Sequence, residues 1–100
     1  MTRPTIVCLC GSTKFKTTFE QANRDETLLG RIVLGVAVFG HIDGVDADAK
    51  VMLDELHFAK IDLADEILVL NVGGYIGYST RREINYATTQ SKVIRYLEAI

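Results

Sequence analysis

The sequence predicts an α/β fold built on a four-stranded parallel sheet, and three observations carry that expectation. Short apolar runs, partly β-branched, alternate with longer segments of helical periodicity. The longest runs are continuous rather than alternating in polarity, as in parallel strands covered on both faces. Glycine-rich breaks follow them, where strands turn into helices. One hundred residues, 48% apolar and 24% charged, suit one domain over 1–100 with a core that needs neither disulfides nor a structural metal. That balance excludes disorder. A net charge of −2 gives no general attraction to nucleic acid or to a membrane surface, and neither partner is expected.

The first strand is Thr5-Ile6-Val7-Cys8-Leu9-Cys10, stopped by Gly11-Ser12-Thr13. From Lys14 to Leu29, the residues Phe15, Phe19, Ala22 and Leu29 recur near the helical period, and Gly30 is placed to end that helix. The run Ile32 to Phe39 reads as a strand buried on both faces, broken by Gly40-His41-Ile42-Asp43-Gly44. Asp46 or Asp48 caps a second helix reaching about Ala64, with Met52, Leu56, Ala59 and Leu63 as its core stripe. Glu66 to Val72 forms the third strand. A glycine loop, 73–78, precedes a third helix opened by Ser79-Thr80 and running to about Ser91, and Val93 to Leu97 forms the last strand. With right-handed crossovers, this order gives a three-layer, flavodoxin-like (Rossmann-like) arrangement with strand order 2-1-3-4. The i, i+2 cysteines on a strand read as buried free thiols, consistent with a reducing cytoplasm. The start, Met1 to Thr5, leads into just six strand-like residues, too short for a signal-peptide core or a membrane span, so no export is expected.

Open α/β sheets bind ligands beyond the carboxyl ends of their strands, near the switch between the first and third strands. Residues 11–15, 40–46 and 73–80 meet there. Gly11-Ser12-Thr13-Lys14 offers backbone N–H groups, hydroxyls and an amine for an anion; the competing reading is a turn in which Ser12 or Thr13 caps the helix. The spacing is not that of a Walker A loop, and Gly73-Gly74-x-x-Gly77 departs from a dinucleotide fingerprint. Gly73 and Gly74 are instead a wall that approaches a ligand, or a loop that needs positive φ. Glu83 stands at capping-box spacing from Thr80, yet a first-turn carboxylate kept ionised by the helix dipole also suits a nucleophile. Arg81 and Arg82 beside it would hold its charge or meet a phosphate. His57, on the flank of its helix, is either structural or a general acid, and His41 is a ligand contact after the second strand. Two histidines and two strand cysteines without ligand-like spacing predict no zinc site. Asp62, Asp65 and Glu66 read as solvated or turn residues.

Cys10-Gly11-Ser12, the Ala64-Asp65 pair before an apolar strand, and the glycine loop followed by Glu83-Ile84-Asn85-Tyr86-Ala87 together resemble the nucleoside 2-deoxyribosyltransferase-like family, including the deoxynucleoside 5′-monophosphate N-glycosidases. The resemblance spans about residues 5–97 and is most specific over 64–87. It implies a flavodoxin-like sheet, usually a homodimer, and cleavage of the bond between a nucleobase and its sugar; neither a cofactor nor a metal is expected. Glu83 matches the glutamate that attacks C1′. Gly11 and Ser12 match the loop beside sugar and phosphate, and His41 resembles a histidine that some members carry. This sequence departs from the pattern in three places. His57 stands where members have an aspartate, eight residues before Asp65, and Cys8 stands where some have a tyrosine. The sequence also ends soon after the last strand, without the later segment from which members often supply site residues across the dimer.

The expected function is therefore base–sugar cleavage of a nucleoside or nucleoside 5′-monophosphate, with Glu83 as nucleophile and His57 as general acid. Gly11, Ser12, Thr13, Lys14, His41, Gly73, Gly74, Ser79 and Arg81 would hold the substrate. Hydrolysis is favoured over transfer, because a small chain offers little for a second base. The alternatives are a non-catalytic nucleotide-binding module and a glycohydrolase of nicotinamide dinucleotides.

Overall fold

Side chains alternate across a strand with period two, so each central strand here feeds two cores at once. In the computed structural model, which describes residues 3–100, β1 (Ile6–Cys10) sends Val7 and Leu9 to one face and Cys8 and Cys10 to the other. β3 (Glu66–Val69) divides in the same way, with Leu68 on the first face and Ile67 and Val69 on the second. β2 (Ile32–Leu34) and β4 (Val93–Tyr96) flank them in an all-parallel sheet of order β2-β1-β3-β4. The predicted three-layer α/β arrangement and strand order are those observed.

One layer is α1 (Lys16–Leu28), whose Phe19 and Ala22 pack on Val7, Leu9, Leu68 and Leu70. The opposite layer holds α3 (Ala47–Leu63) and α4 (Tyr78–Thr89), which supply Ile61 and Ala87 to the cysteine face. Short α2 (Gly40–Asp43) and a 3-10 turn (Val72–Gly74) complete the elements. The buried Glu26 carboxylate is matched by Arg95, which also pairs with Glu66 at 2.8 Å, and by Arg31 at 3.4 Å. No helix among the described residues is long and apolar enough to cross a membrane.

Several expectations are corrected. β2 stops at Leu34 and is a half-exposed edge strand, so Val36 to Phe39 leave the sheet instead of continuing a doubly covered strand. The break after it contains the α2 turn, in which the Phe39 N–H donates to the Asp43 carboxylate at 2.8 Å. Helix α1 starts two residues later than expected, and Leu29 lies outside the core at 68% exposure. The predicted stripe of α3 points outward: Met52, Leu56, Ala59 and Leu63 are exposed, while His57 and Ile61 are buried. Asp46 is the cap, its Oδ1 accepting from the Ala49 N–H at 2.8 Å. Asp65 is also more than a turn residue, since it takes both Arg3 guanidinium nitrogens and the Ile6 N–H.

Candidate functional site

The chain leaves β1 and β3 side by side, and the segments beyond their carboxyl ends diverge to open a cavity of about 480 Å³. That volume lies within the range of about 300–1,000 Å³ usual for small-molecule sites. Gly11, Ser12 and Thr13 line it after β1, Val36 and Val38 after β2, and Tyr75 and Gly77 after β3. His41 closes one side, with its Nδ1 2.5 Å from Thr13 Oγ1. His57 on α3 and Glu83 on α4 line it from the helices, together with Ser79 and Thr80. The structure thus gathers Gly11, Ser12, Thr13, His41, His57, Ser79 and Glu83 around one space.

Four candidate substrate residues are not among the lining. Lys14 lays its ammonium 3.7 Å from the centre of the Tyr75 ring, outside the cavity. Neither Ser12 nor Thr13 caps α1; Ser12 Oγ accepts from the Lys14 N–H at 3.3 Å, in a turn that precedes the helix. Gly73 and Gly74 have φ of 61° and 81°, so they shape the loop, and the Gly73 N–H is taken by the Glu98 carboxylate at 3.2 Å. Arg81 is exposed on α4.

No capping box forms at Glu83. The N-cap of α4 is Gly77, no side chain caps it, and Ser79 and Thr80 are already helical. Glu83 therefore sits in the second turn, where the dipole acts less strongly, and its carboxylate faces the cavity and the β1 cysteines rather than the helix end. Its Oε1 is buried without a hydrogen-bond partner among the described residues, 3.7 Å from His57 Nε2. Burial pushes the Glu83 carboxyl up to about 7, against the lowering pull of the His57 imidazole.

His57 is 8% exposed, and its Nε2 lies 3.6 Å from Cys8 Sγ and 3.5 Å from Cys10 Sγ. Burial disfavours the charged imidazole, but the Cys8 thiol and the Glu83 carboxylate outweigh it and raise its pKa. Within the thiol pair, hydrogen bonding to Cys10 holds Cys8 below the usual thiol range, and the same contact together with burial raises Cys10. Both cysteines are free and buried, as their spacing suggested. Their meeting with His57 was not legible in that spacing, because α3 enters the sequence long after β1.

Sequence reasoning missed Tyr75 and Tyr78, aromatic walls of the cavity, although their place in the glycine loop was the available signal. It also missed Val36 and Val38, assigned to a strand that in fact ends at Leu34, and Lys50 and Lys60 on α3. Lys50 pairs with Asp54 at 3.0 Å, and Lys60 donates to the Gly35 carbonyl at 2.8 Å. Among comparisons with known proteins, no family model matches the chain and no curated protein matches it.

Proposed function

We propose that the protein is an N-glycosidic enzyme that cleaves the base–sugar bond of a nucleoside or nucleoside 5′-monophosphate, with hydrolysis favoured over transfer. The observation that carries this reading is the Glu83 carboxylate, buried at a small-molecule cavity with an oxygen that no protein donor satisfies. A structural glutamate would have its buried oxygens hydrogen-bonded; Glu83 Oε1 has no hydrogen-bond partner among the described residues, and its charge is faced by His57 at 3.7 Å. The resemblance of residues 64–87 to the deoxyribosyltransferase-like pattern, with Glu83 at its glutamate, supports the same assignment.

In this mechanism a Glu83 oxygen attacks C1′ and the C1′–N bond breaks, its electron pair passing to the base nitrogen. His57, beside Glu83 and carrying the raised pKa, supplies the proton that the departing base takes. Water then attacks C1′, releasing the sugar and the Glu83 carboxylate and returning a proton to His57. Ser12, Thr13, His41 and Ser79 offer polar contacts to sugar and phosphate, and Tyr75 and Tyr78 offer ring faces to a base. The reading includes a homodimer and a reducing, cytoplasmic setting in which Cys8 and Cys10 form no disulfide.

One observation favours a second reading, a non-catalytic nucleotide-binding module: the His57 nitrogen nearest Glu83 is already engaged by two thiols. Both readings meet one experiment. Wild type and Glu83→Gln are incubated with ribo- and deoxyribonucleosides, their 5′-monophosphates and a nicotinamide dinucleotide, and free base is followed by chromatography. The wild type is expected to release base, and the variant to be slower by about a thousandfold or more. Equal rates would remove Glu83 from the chemistry. Absence of release by the folded wild type, with saturable nucleotide binding, would establish the binding module, and nicotinamide as the sole released base would redirect the enzyme to dinucleotides.

A further inference from the structure

We propose that Cys8, Cys10 and His57 form a zinc-binding site, with Glu83 as the fourth ligand. The ligand atoms of the first three lie within 4.8 Å of one another, and all three residues are buried. In a tetrahedral site with Zn–S near 2.3 Å and Zn–N near 2.0–2.1 Å, sulfur and nitrogen stand about 3.6 Å apart. The two sulfurs here lie 3.6 and 3.5 Å from His57 Nε2, and within 4.8 Å of each other, so the thiols must draw together to the roughly 3.8 Å that two sulfurs keep across such a metal. Across the same metal, nitrogen and a carboxylate oxygen stand about 3.4 Å apart; Glu83 Oε1 lies 3.7 Å from Nε2. That oxygen is the buried side-chain atom without a hydrogen-bond partner among the described residues, so it retains a lone pair to give.

The fold builds this set from three elements. Period two turns Cys8 and Cys10 to one face of β1, the register of α3 lays His57 over them, and α4 brings Glu83 alongside. Two thiolates balance a divalent charge, while a sulfur- and imidazole-rich set favours zinc over magnesium or calcium. Binding releases the thiol protons to solvent. His57 and Glu83 border the cavity, which is the path by which the ion enters.

The inference does not rest on the glycosidic reading, and its readout is a spectrum rather than activity. Chelator-treated, reduced protein is titrated with Co²⁺, a coloured substitute for zinc, and then with Zn²⁺. The expected result is one cobalt per chain, thiolate-to-cobalt charge-transfer absorption with the intense visible bands of tetrahedral coordination, and stoichiometric bleaching by zinc. Cys8→Ser and His57→Gln, each checked for folding by circular dichroism, are expected to weaken binding by more than about a hundredfold, beyond the loss typical of outer-shell partners. Glu83→Gln is expected to keep the charge-transfer band at lower affinity. Absence of that band in reduced, folded wild type, or a band unchanged in both Cys8→Ser and His57→Gln, overturns the site.

Discussion

Gly11 shows how one position can carry both fold and site. A Cβ built there would stand 3.0 Å from the Leu70 Cβ and 3.3 Å from the Leu70 carbonyl oxygen, so β1 could leave the sheet only by displacing backbone. Gly11→Ala is expected to cost about 1–3 kcal/mol, read as a lower urea midpoint at unchanged slope. Asp65 carries a pH signature. Its bond to Arg3, and then the Ile6 N–H, hold the carboxyl well below the usual carboxylate range. A depressed folded-state pKa contributes stability above the unfolded value of about 3.9 and loses it as pH falls toward the folded value. The advantage of wild type over Asp65→Asn in chemical denaturation is therefore expected to be full at neutral pH and to shrink below about pH 4. A constant difference across that window would show that the carboxylate charge contributes nothing.

Among the elements, α3 and α4 begin in opposite ways. Asp46 caps α3 with its own side chain, so Asp46→Ala is expected to cost about 1 kcal/mol and to lower Tm by about 4–8 °C in a thermal scan. Helix α4 has no side-chain cap, and the Thr80 to Glu83 spacing that suggested one reflects coincidence of sequence. Because Glu83 holds no cap, Glu83→Gln tests chemistry without opening a helix end. In α3, the sequence carries two apolar stripes, and local periodicity alone does not say which one meets the sheet. Ile61 does, flanked by His57, while the stripe of Met52, Leu56, Ala59 and Leu63 turns to solvent.

At the scale of the whole molecule, that outward stripe is an apolar face the chain does not bury by itself. Met52, Leu56 and Leu63 are 53%, 48% and 67% exposed, and Leu56 also borders the cavity. If the proposed homodimer forms, this face is where a second copy is expected to sit. Sedimentation equilibrium is expected to show a dimer for the wild type and a monomer for Met52→Glu; a wild-type monomer at micromolar concentration would rule the assembly out. The proposed zinc site and the proposed base cleavage both draw on the Glu83 carboxylate, so added zinc is expected to slow base release if both hold.

The strand runs, the intervening helices and the glycine breaks were legible in the sequence because period two and period 3.6 belong to the local chain, and the strand order because right-handed crossovers leave few topologies for that element order. The common face of Cys8 and Cys10 and the placing of Glu83 just beyond the glycine loop were legible for the same reason. Where β2 stops, which stripe of α3 packs inward, and how α4 begins were decided by tertiary packing. His57 meets Cys8 and Cys10 across 49 and 47 residues of sequence, and only the seating of α3 on the sheet sets that contact. Local spacing describes how a side chain leaves its own element; which side chain it meets depends on the rotation and register of two elements packed together, and that is settled by the volumes they must fill.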